Sequence, residues 1–209
     1  MVQLPLFEPA RGVLADDEWG RLTYQRGLVP PATARRWFDE LRREVGWNAE
    51  RRWMYDRRVD VPRLTAHFRL RPAPDQPAPP AAVLEAAERV IAASGVAFDS
   101  VGLNLYRDGR DSVAPHNDHL DEIAPRFPIA LLSLGATRRM AIRAKPPRRR
   151  VMQVDLEEGS LLVMSYETQL HYTHGVPKTT EPVGERISLA FRVKPKELPP
   201  PRVPGRDRY

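Results

Sequence analysis

The sequence predicts an α+β fold that is mainly β: a jelly-roll-like barrel with N-terminal helices packed on one side. Three observations carry this reading. Two segments in the first half repeat apolar residues at helical spacing. From Ser100 onward, short apolar runs alternate with turn residues. No internal repeat points to a solenoid or propeller instead.

Residues 1–30 read as a poorly structured extension with a short apolar plug, Leu4-Pro5-Leu6-Phe7. A helix is expected from Pro31 to Val45: proline suits a first helical turn, and Trp37, Phe38, Leu41 and Val45 recur on one face. A strand is expected at Arg63–Leu70. The following RPAPDQPAPP should be an exposed, non-helical loop. A second helix is expected from Pro80 to Ala93, with Val83, Leu84, Ala87, Val90 and Ile91 as its stripe. Strands are then expected near 101–106, 113–118, 128–134, 138–144, 151–155, 160–165, 170–175 and 186–193. Turns such as Arg107-Asp108-Gly109 and Glu157-Glu158-Gly159 separate several of them. The end of the chain, 196–209, is proline-rich and charged, and should be mobile.

Composition narrows the chemistry. The 209 residues suit one domain, at 31–195, between the extension and the tail. No run of about twenty apolar residues suggests a membrane helix, and the first residues do not read as a secretory signal. The expectation is a cytoplasmic monomer with no membrane association. Cysteine is absent, which excludes disulfides and thiolate metal sites and leaves His, Asp and Glu as ligands. The net charge of +6 favours a polyanionic partner. Arginine pairs at 35–36, 42–43, 51–52, 57–58 and 138–139, and the run from Lys145 to Arg150, could supply phosphate contacts. A solvated basic surface accounts for the same residues.

Four of the five histidines sit in two short stretches, APHNDHLDE and QLHYTHGVPK. The first holds two overlapping His-x-Asp patterns, His116/Asp118 and His119/Asp121. Residues two apart on a strand point to one side, so either pair could aim into a cavity. Ser112-Val113-Ala114-Pro115 reads as a strand running into His116, whereas Leu120 to Ala124 reads as a helical turn or loop. A strand end holds ligands more firmly, which favours His116 and Asp118. Such a pair with one distant histidine makes a two-His-one-carboxylate set, whose open positions suit non-heme Fe(II) and dioxygen. In RISLAFRVK, Arg186, Ser188, Ala190 and Arg192 share one strand face, and Ile187, Leu189, Phe191 and Val193 form a core face. Two guanidinium forks separated by small residues could hold a dicarboxylate. Two solvated arginines on a half-exposed strand are the ordinary alternative.

The segments NLYRDGRDSVAPHNDH, GSLLVMSYETQLHYTHGVPK and GERISLAFR, preceded by PRLTAHF, resemble the AlkB family of Fe(II)/2-oxoglutarate dioxygenases over roughly residues 60–193. The resemblance implies a double-stranded β-helix at 101–195, preceded by helices and a substrate-recognition region at 31–100. It implies Fe(II) on His116, Asp118 and His174, with His171 a neighbour. It implies 2-oxoglutarate held by Arg186 and Tyr106 at its distal carboxylate, with Arg192 and Asn104 near its chelating end and O2 as the other substrate. Ser188 stands where many members have asparagine. The substrate implied is an N-alkylated base, such as 1-methyladenine or 3-methylcytosine, in DNA or RNA. Trp53, Tyr55 and Phe68 are the candidate stacking aromatics, and Asp121 and Glu122 the candidate base-reading acids. A 2-oxoglutarate hydroxylase or demethylase of a protein or small molecule uses the same metal and cosubstrate residues. A non-catalytic nucleic-acid-binding module on the same fold is the alternative from another class. A zinc hydrolase would leave the paired arginines without a role.

Overall fold

The structure is a computed structural model that describes residues 11–54 and 57–196, with side chains placed for 12–49 and 61–196. Two antiparallel sheets face each other. The larger has eight strands, in the order β1-β2-β10-β7-β12-β5-β4-β3, and the smaller has four, in the order β6-β11-β8-β9. In chain order these are β1 (Arg11–Asp17), β2 (Gly20–Gln25), β3 (Asn48–Met54), β4 (Arg57–Arg69), β5 (Ser100–Tyr106), β6 (Val113–His116), β7 (Ile129–Gly135), β8 (Arg138–Ala144), β9 (Val151–Leu156), β10 (Leu161–Met164), β11 (Tyr172–Val176) and β12 (Arg186–Arg192). Among the described residues three α-helices, α1 (Pro31–Glu44), α2 (Ala81–Ser94) and α3 (Tyr166–His171), and a single 3-10 turn at Leu120–Glu122 complete the set. Among the described residues no helix is long and apolar enough to cross a membrane.

The large sheet is buried on both faces at its centre. Its middle strands β7 and β12 are accordingly buried along nearly their whole length; β7 reads as a nearly continuous apolar run, while β12 alternates its arginines and small residues with an apolar core face. One face meets the helices, where Trp37, Phe38 and Leu41 of α1 and Val83, Ala87 and Val90 of α2 pack on Leu103, Leu132, Ile187 and Leu189. The other face meets the small sheet, where Tyr106, Ile129 and Leu131 pack on Met140, Ile142, Val154 and Tyr172. Helices α1 and α2 each start after a proline, Pro30 and Pro80, and α2 stops at Gly95 in the left-handed region.

Three expectations change. Residues 11–25 form a β-hairpin rather than a loose extension, and β2 pairs with β10 inside the large sheet. Two short apolar stretches around an acidic turn produce it, with Leu22 fully buried. The expected strand at 170–175 divides into the end of α3 and β11, because α3 continues to His171 before the chain straightens. β4 is longer than expected and carries β3 at its outer edge.

Candidate active site

The gap between the sheets opens at one end into a cavity of about 240 Å3. His116 ends β6, and His174 lies opposite it on β11, as a register pair. The backbones approach closely here: a Cβ on Gly175 would sit 2.8 Å from the Val113 carbonyl oxygen. Glycine is thus the residue that lets β11 close on β6. The two imidazoles lie 4.5 Å apart, centroid to centroid. Asp118, two residues past His116, follows them into the same space. One donor atom from each of the three residues lies within 4.8 Å of the others.

Their surroundings set their charge. His116 Nδ1 is 2.9 Å from the Ala114 carbonyl oxygen, so Nδ1–H donates there and Nε2 is left facing Asp118. Arg192 donates to Asp118 Oδ2 through Nε at 2.9 Å and Nη2 at 2.6 Å. Asp118 Oδ1 then faces His116 Nε2 at 3.6 Å and His174 Nε2 at 3.9 Å. The Asp118 backbone N–H donates to Gln169 Oε1 of α3 at 3.0 Å. Burial by itself would raise the Asp118 carboxyl, but the Arg192 cation and the two histidines outweigh it and hold it below the ordinary range. Burial pushes His174 down to about 4, with Asp118 pulling the other way. At neutral pH the cluster therefore offers an ionised carboxylate and an unprotonated His174. That donor set suits a divalent cation of borderline softness.

The closed end of the cavity belongs to β5 and β12, where Arg186 pairs with Tyr106 and Ser188 with Asn104 in register. Arg186 is 1% exposed. Its Nη2 donates to Ser133 Oγ at 2.9 Å, while Nε and Nη1 have no partner. Its guanidinium lies 5.2 Å from the Tyr106 ring centroid. A buried cation with two unpaired donors costs stability unless an anion completes it. An incoming carboxylate is the kind of group that would satisfy them. The residues present therefore suit both a divalent metal at the open end and a dicarboxylate reaching to the closed end.

Other residues fall differently. Asn104 Oδ1 accepts from Arg63 Nε at 2.7 Å, so it is engaged at the cavity wall. Ser188 lines the cavity beside it. His119 sits exposed at the rim and does not join the His116–Asp118–His174 group. His171 stacks on Trp19 at 5.0 Å, at the end of α3. Glu122 lines the mouth and pairs with Lys194 Nζ at 3.3 Å. Asp121 is exposed in the adjoining turn and is not part of the cavity wall. Phe68 packs into the helix-side core, not the cavity, because strand alternation sends His67 to the cavity and its neighbour the other way. The Trp53 side chain and Tyr55 lie outside the described residues.

Four polar wall residues escaped the sequence reading. Arg63 and His67 follow from the alternation of RLTAH, and Lys194 continues the series from Arg186 to Arg192. Asn117, between the two ligand candidates, carries no such signal. On the outer face of the small sheet a second groove, of about 660 Å3, runs from His116, Asn117 and His119 past Arg63, Arg143 and Lys178. Among the described residues no acidic side chain lines it. Several arginines of the clusters with described side chains are spent within the fold: Arg36 on Glu85, Arg42 on Glu185, Arg139 on Asp155 and Arg148 on Asp17.

The comparisons with known proteins agree with this arrangement. The model of the 2OG-Fe(II) oxygenase superfamily matches residues 21–192. Human DNA oxidative demethylase ALKBH2 is 37% identical over 112 residues, covering 50% of this chain and 43% of the relative. The Bos taurus alpha-ketoglutarate-dependent dioxygenase alkB homolog 3 is 32% identical over 182 residues, covering 79% of this chain and 63% of the relative. The chain thus spans between about two-fifths and two-thirds of the length of these two relatives. The solved structure of OsALKBH1 superposes with a TM-score of 0.59 at 16% identity, over 87% of this chain and all of that one, which shows a shared fold. With the family model spanning the three helices, the strands from β2 to β12 and the His116–Asp118–His174 cluster, the chain belongs to the 2OG-Fe(II) oxygenase superfamily, in its AlkB family.

Proposed function

We propose that the chain is an Fe(II)- and 2-oxoglutarate-dependent dioxygenase that removes N-alkyl groups from bases in nucleic acid. The observation that carries the reading is one cavity with a His-Asp-His cluster at its mouth and a buried, half-unpaired arginine at its closed end. His116, Asp118 and His174 would hold Fe(II), and Arg186 with Tyr106 would take the distal carboxylate of 2-oxoglutarate. Bound iron would supply dioxygen activation coupled to oxidative decarboxylation of the 2-oxo acid.

The chain's own residues do the positioning. Arg192 occupies Asp118 Oδ2 and so presents Oδ1 alone toward the histidines. Gln169 fixes the backbone of the same residue. Arg186 Nε and Nη1 stand ready for a carboxylate and select a diacid over a monoacid. The apolar side chains of Leu131, Ile123 and Met140 line part of the same cavity.

Two findings support nucleic acid as substrate. The relatives are named as DNA oxidative demethylase and alkB homolog 3. The groove that begins at His116 is basic, with Arg143 and Lys178 free of ion pairs among the described residues. Such a surface suits a phosphate backbone. A base must leave its stack to enter a cavity set between two sheets.

The test is turnover with Fe(II), ascorbate and 2-oxoglutarate on single-stranded oligonucleotides carrying 1-methyladenine or 3-methylcytosine. Loss of the methyl mass, matched by succinate, is the expected result. Succinate without demethylation would move the substrate to a protein or small molecule. No succinate from iron-loaded protein would favour a non-catalytic binding module.

A further inference from the structure

Beside the cosubstrate end of the cavity lies a second buried arginine that the foregoing reading does not use. Arg138, the first residue of β8, is 3% exposed. Its Nη1 donates to the Asp108 carbonyl oxygen at 3.0 Å, and its Nη2 to those of Asp111 at 2.9 Å and Pro177 at 2.7 Å. These carbonyls belong to two segments. One follows β5, which carries Asn104 and Tyr106; the other follows β11, which carries His174. One guanidinium thus ties the cosubstrate strand to the strand of the metal cluster. Lysine, with a single nitrogen, cannot span the same three acceptors in that planar fork.

The second consequence is electrostatic. The Arg138 guanidinium lies 5.7 Å from the Tyr106 ring centroid, and Arg186 lies 5.2 Å from the same centroid. Both cations therefore lie within cation–π range of the phenol ring. Arg138 spends its recorded hydrogen bonds on neutral carbonyls, while the nearby Asp111 carboxylate is taken up by Arg107 through Nε at 2.8 Å and Nη2 at 2.8 Å. An incoming carboxylate at Arg186 would thus meet the field of both arginines.

We infer that Arg138 is a positioning residue for the cosubstrate. It fixes the Tyr106 ring against Arg186 and braces the closed end, so that a 2-oxo diacid binds through its distal carboxylate. The inference rests on the reading of 2-oxoglutarate as cosubstrate.

The experiment measures equilibrium binding by calorimetry, on the full chain loaded with Mn(II) in place of Fe(II) and without oxygen turnover. The ligands are 2-oxoglutarate and 2-oxovalerate, which lacks the distal carboxylate. The proteins are wild type, Arg138→Gln and Arg138→Lys. Arg138→Gln should weaken 2-oxoglutarate about tenfold, with Arg138→Lys between it and wild type. Binding of 2-oxovalerate and of Mn(II) should stay within about twofold of wild type. If Arg138→Gln does not fold, Arg138→Lys carries the test through the same ratio of the two acids. Equal weakening of both acids, or of the metal, would show a general brace and overturn the inference. So would unchanged 2-oxoglutarate affinity in a folded variant. A wild-type chain that binds Mn(II) and no 2-oxoglutarate would overturn the cosubstrate reading and the inference with it.

Discussion

Arg186 and Arg192 stand on the same face of β12, six residues apart in sequence, and their states are opposite. Arg192 spends two donors on Asp118 and completes an ion pair inside the protein. Arg186, more deeply buried, leaves Nε and Nη1 unpaired. Burial, with the Arg138 cation adding to it, pulls the Arg186 guanidinium below its ordinary range. The difference separates two uses of one residue type. The arginine beside the His-Asp-His cluster serves a protein carboxylate, while the one at the closed end keeps unpaired donors that, on the proposed reading, await a carboxylate from outside. Stability and function should therefore respond differently at the two positions.

The largest effect is expected at the cluster that Arg192 serves. Asp118→Ala should remove metal binding and turnover together, read by metal content after dialysis and by succinate formation. It should also leave Arg192 without its partner. Retained iron and activity in this variant would mean that the ligands had been assigned in the wrong register. Arg186→Leu comes next, with 2-oxoglutarate affinity lowered about a hundredfold and metal binding kept.

Arg192→Met should act on both stability and metal. It strands a buried carboxylate, at a cost of roughly 3 kcal/mol in the metal-free protein. Arg192 holds Asp118 below the ordinary carboxylate range, so its removal should raise that carboxyl. Proton competition should then weaken metal binding further as the pH falls. Metal titrations at two pH values read this directly, and an unchanged pH dependence would count against the Arg192–Asp118 coupling.

Smaller effects are expected away from the cavity. Arg143→Ala with Lys178→Ala should weaken binding of a single-stranded oligonucleotide several-fold and lower its salt slope by about 1 to 2. Unchanged salt dependence would remove the groove from the nucleic-acid path. The smallest effect is expected for His119→Ala, which should leave metal affinity within about twofold of wild type. That variant separates the two overlapping His-x-Asp patterns most cleanly.

Much of this arrangement was legible in the sequence because it depends on local periodicity. The two helices follow from apolar stripes, and the barrel strands from short runs between turns. The common direction of His116 and Asp118 and the shared face of Arg186, Ser188 and Arg192 follow from residues two apart pointing alike. The hairpin at 11–25 was not legible: its strands are short, its turn is acidic, and long-range pairing with β10 is what holds it. The α3–β11 boundary was hidden because QLHYTH alternates as a strand would. Phe68 shows the limit of composition, since an aromatic suited to stacking can be a core residue once the register is fixed. Arg138 was read as part of a basic cluster, and only the folded chain gathers its three carbonyl partners.

The comparison between the two arginines is tested most directly by one variant and two readings. Arg186→Leu should be compared with wild type for thermal midpoint in the absence of ligands and for 2-oxoglutarate affinity with Mn(II) bound. Replacing a buried, half-unpaired cation with an apolar side chain should leave the midpoint unchanged or raise it. The dicarboxylate should meanwhile bind about a hundredfold more weakly. A midpoint that falls by several degrees with affinity intact would make Arg186 a structural residue and contradict its reading as the cosubstrate anchor.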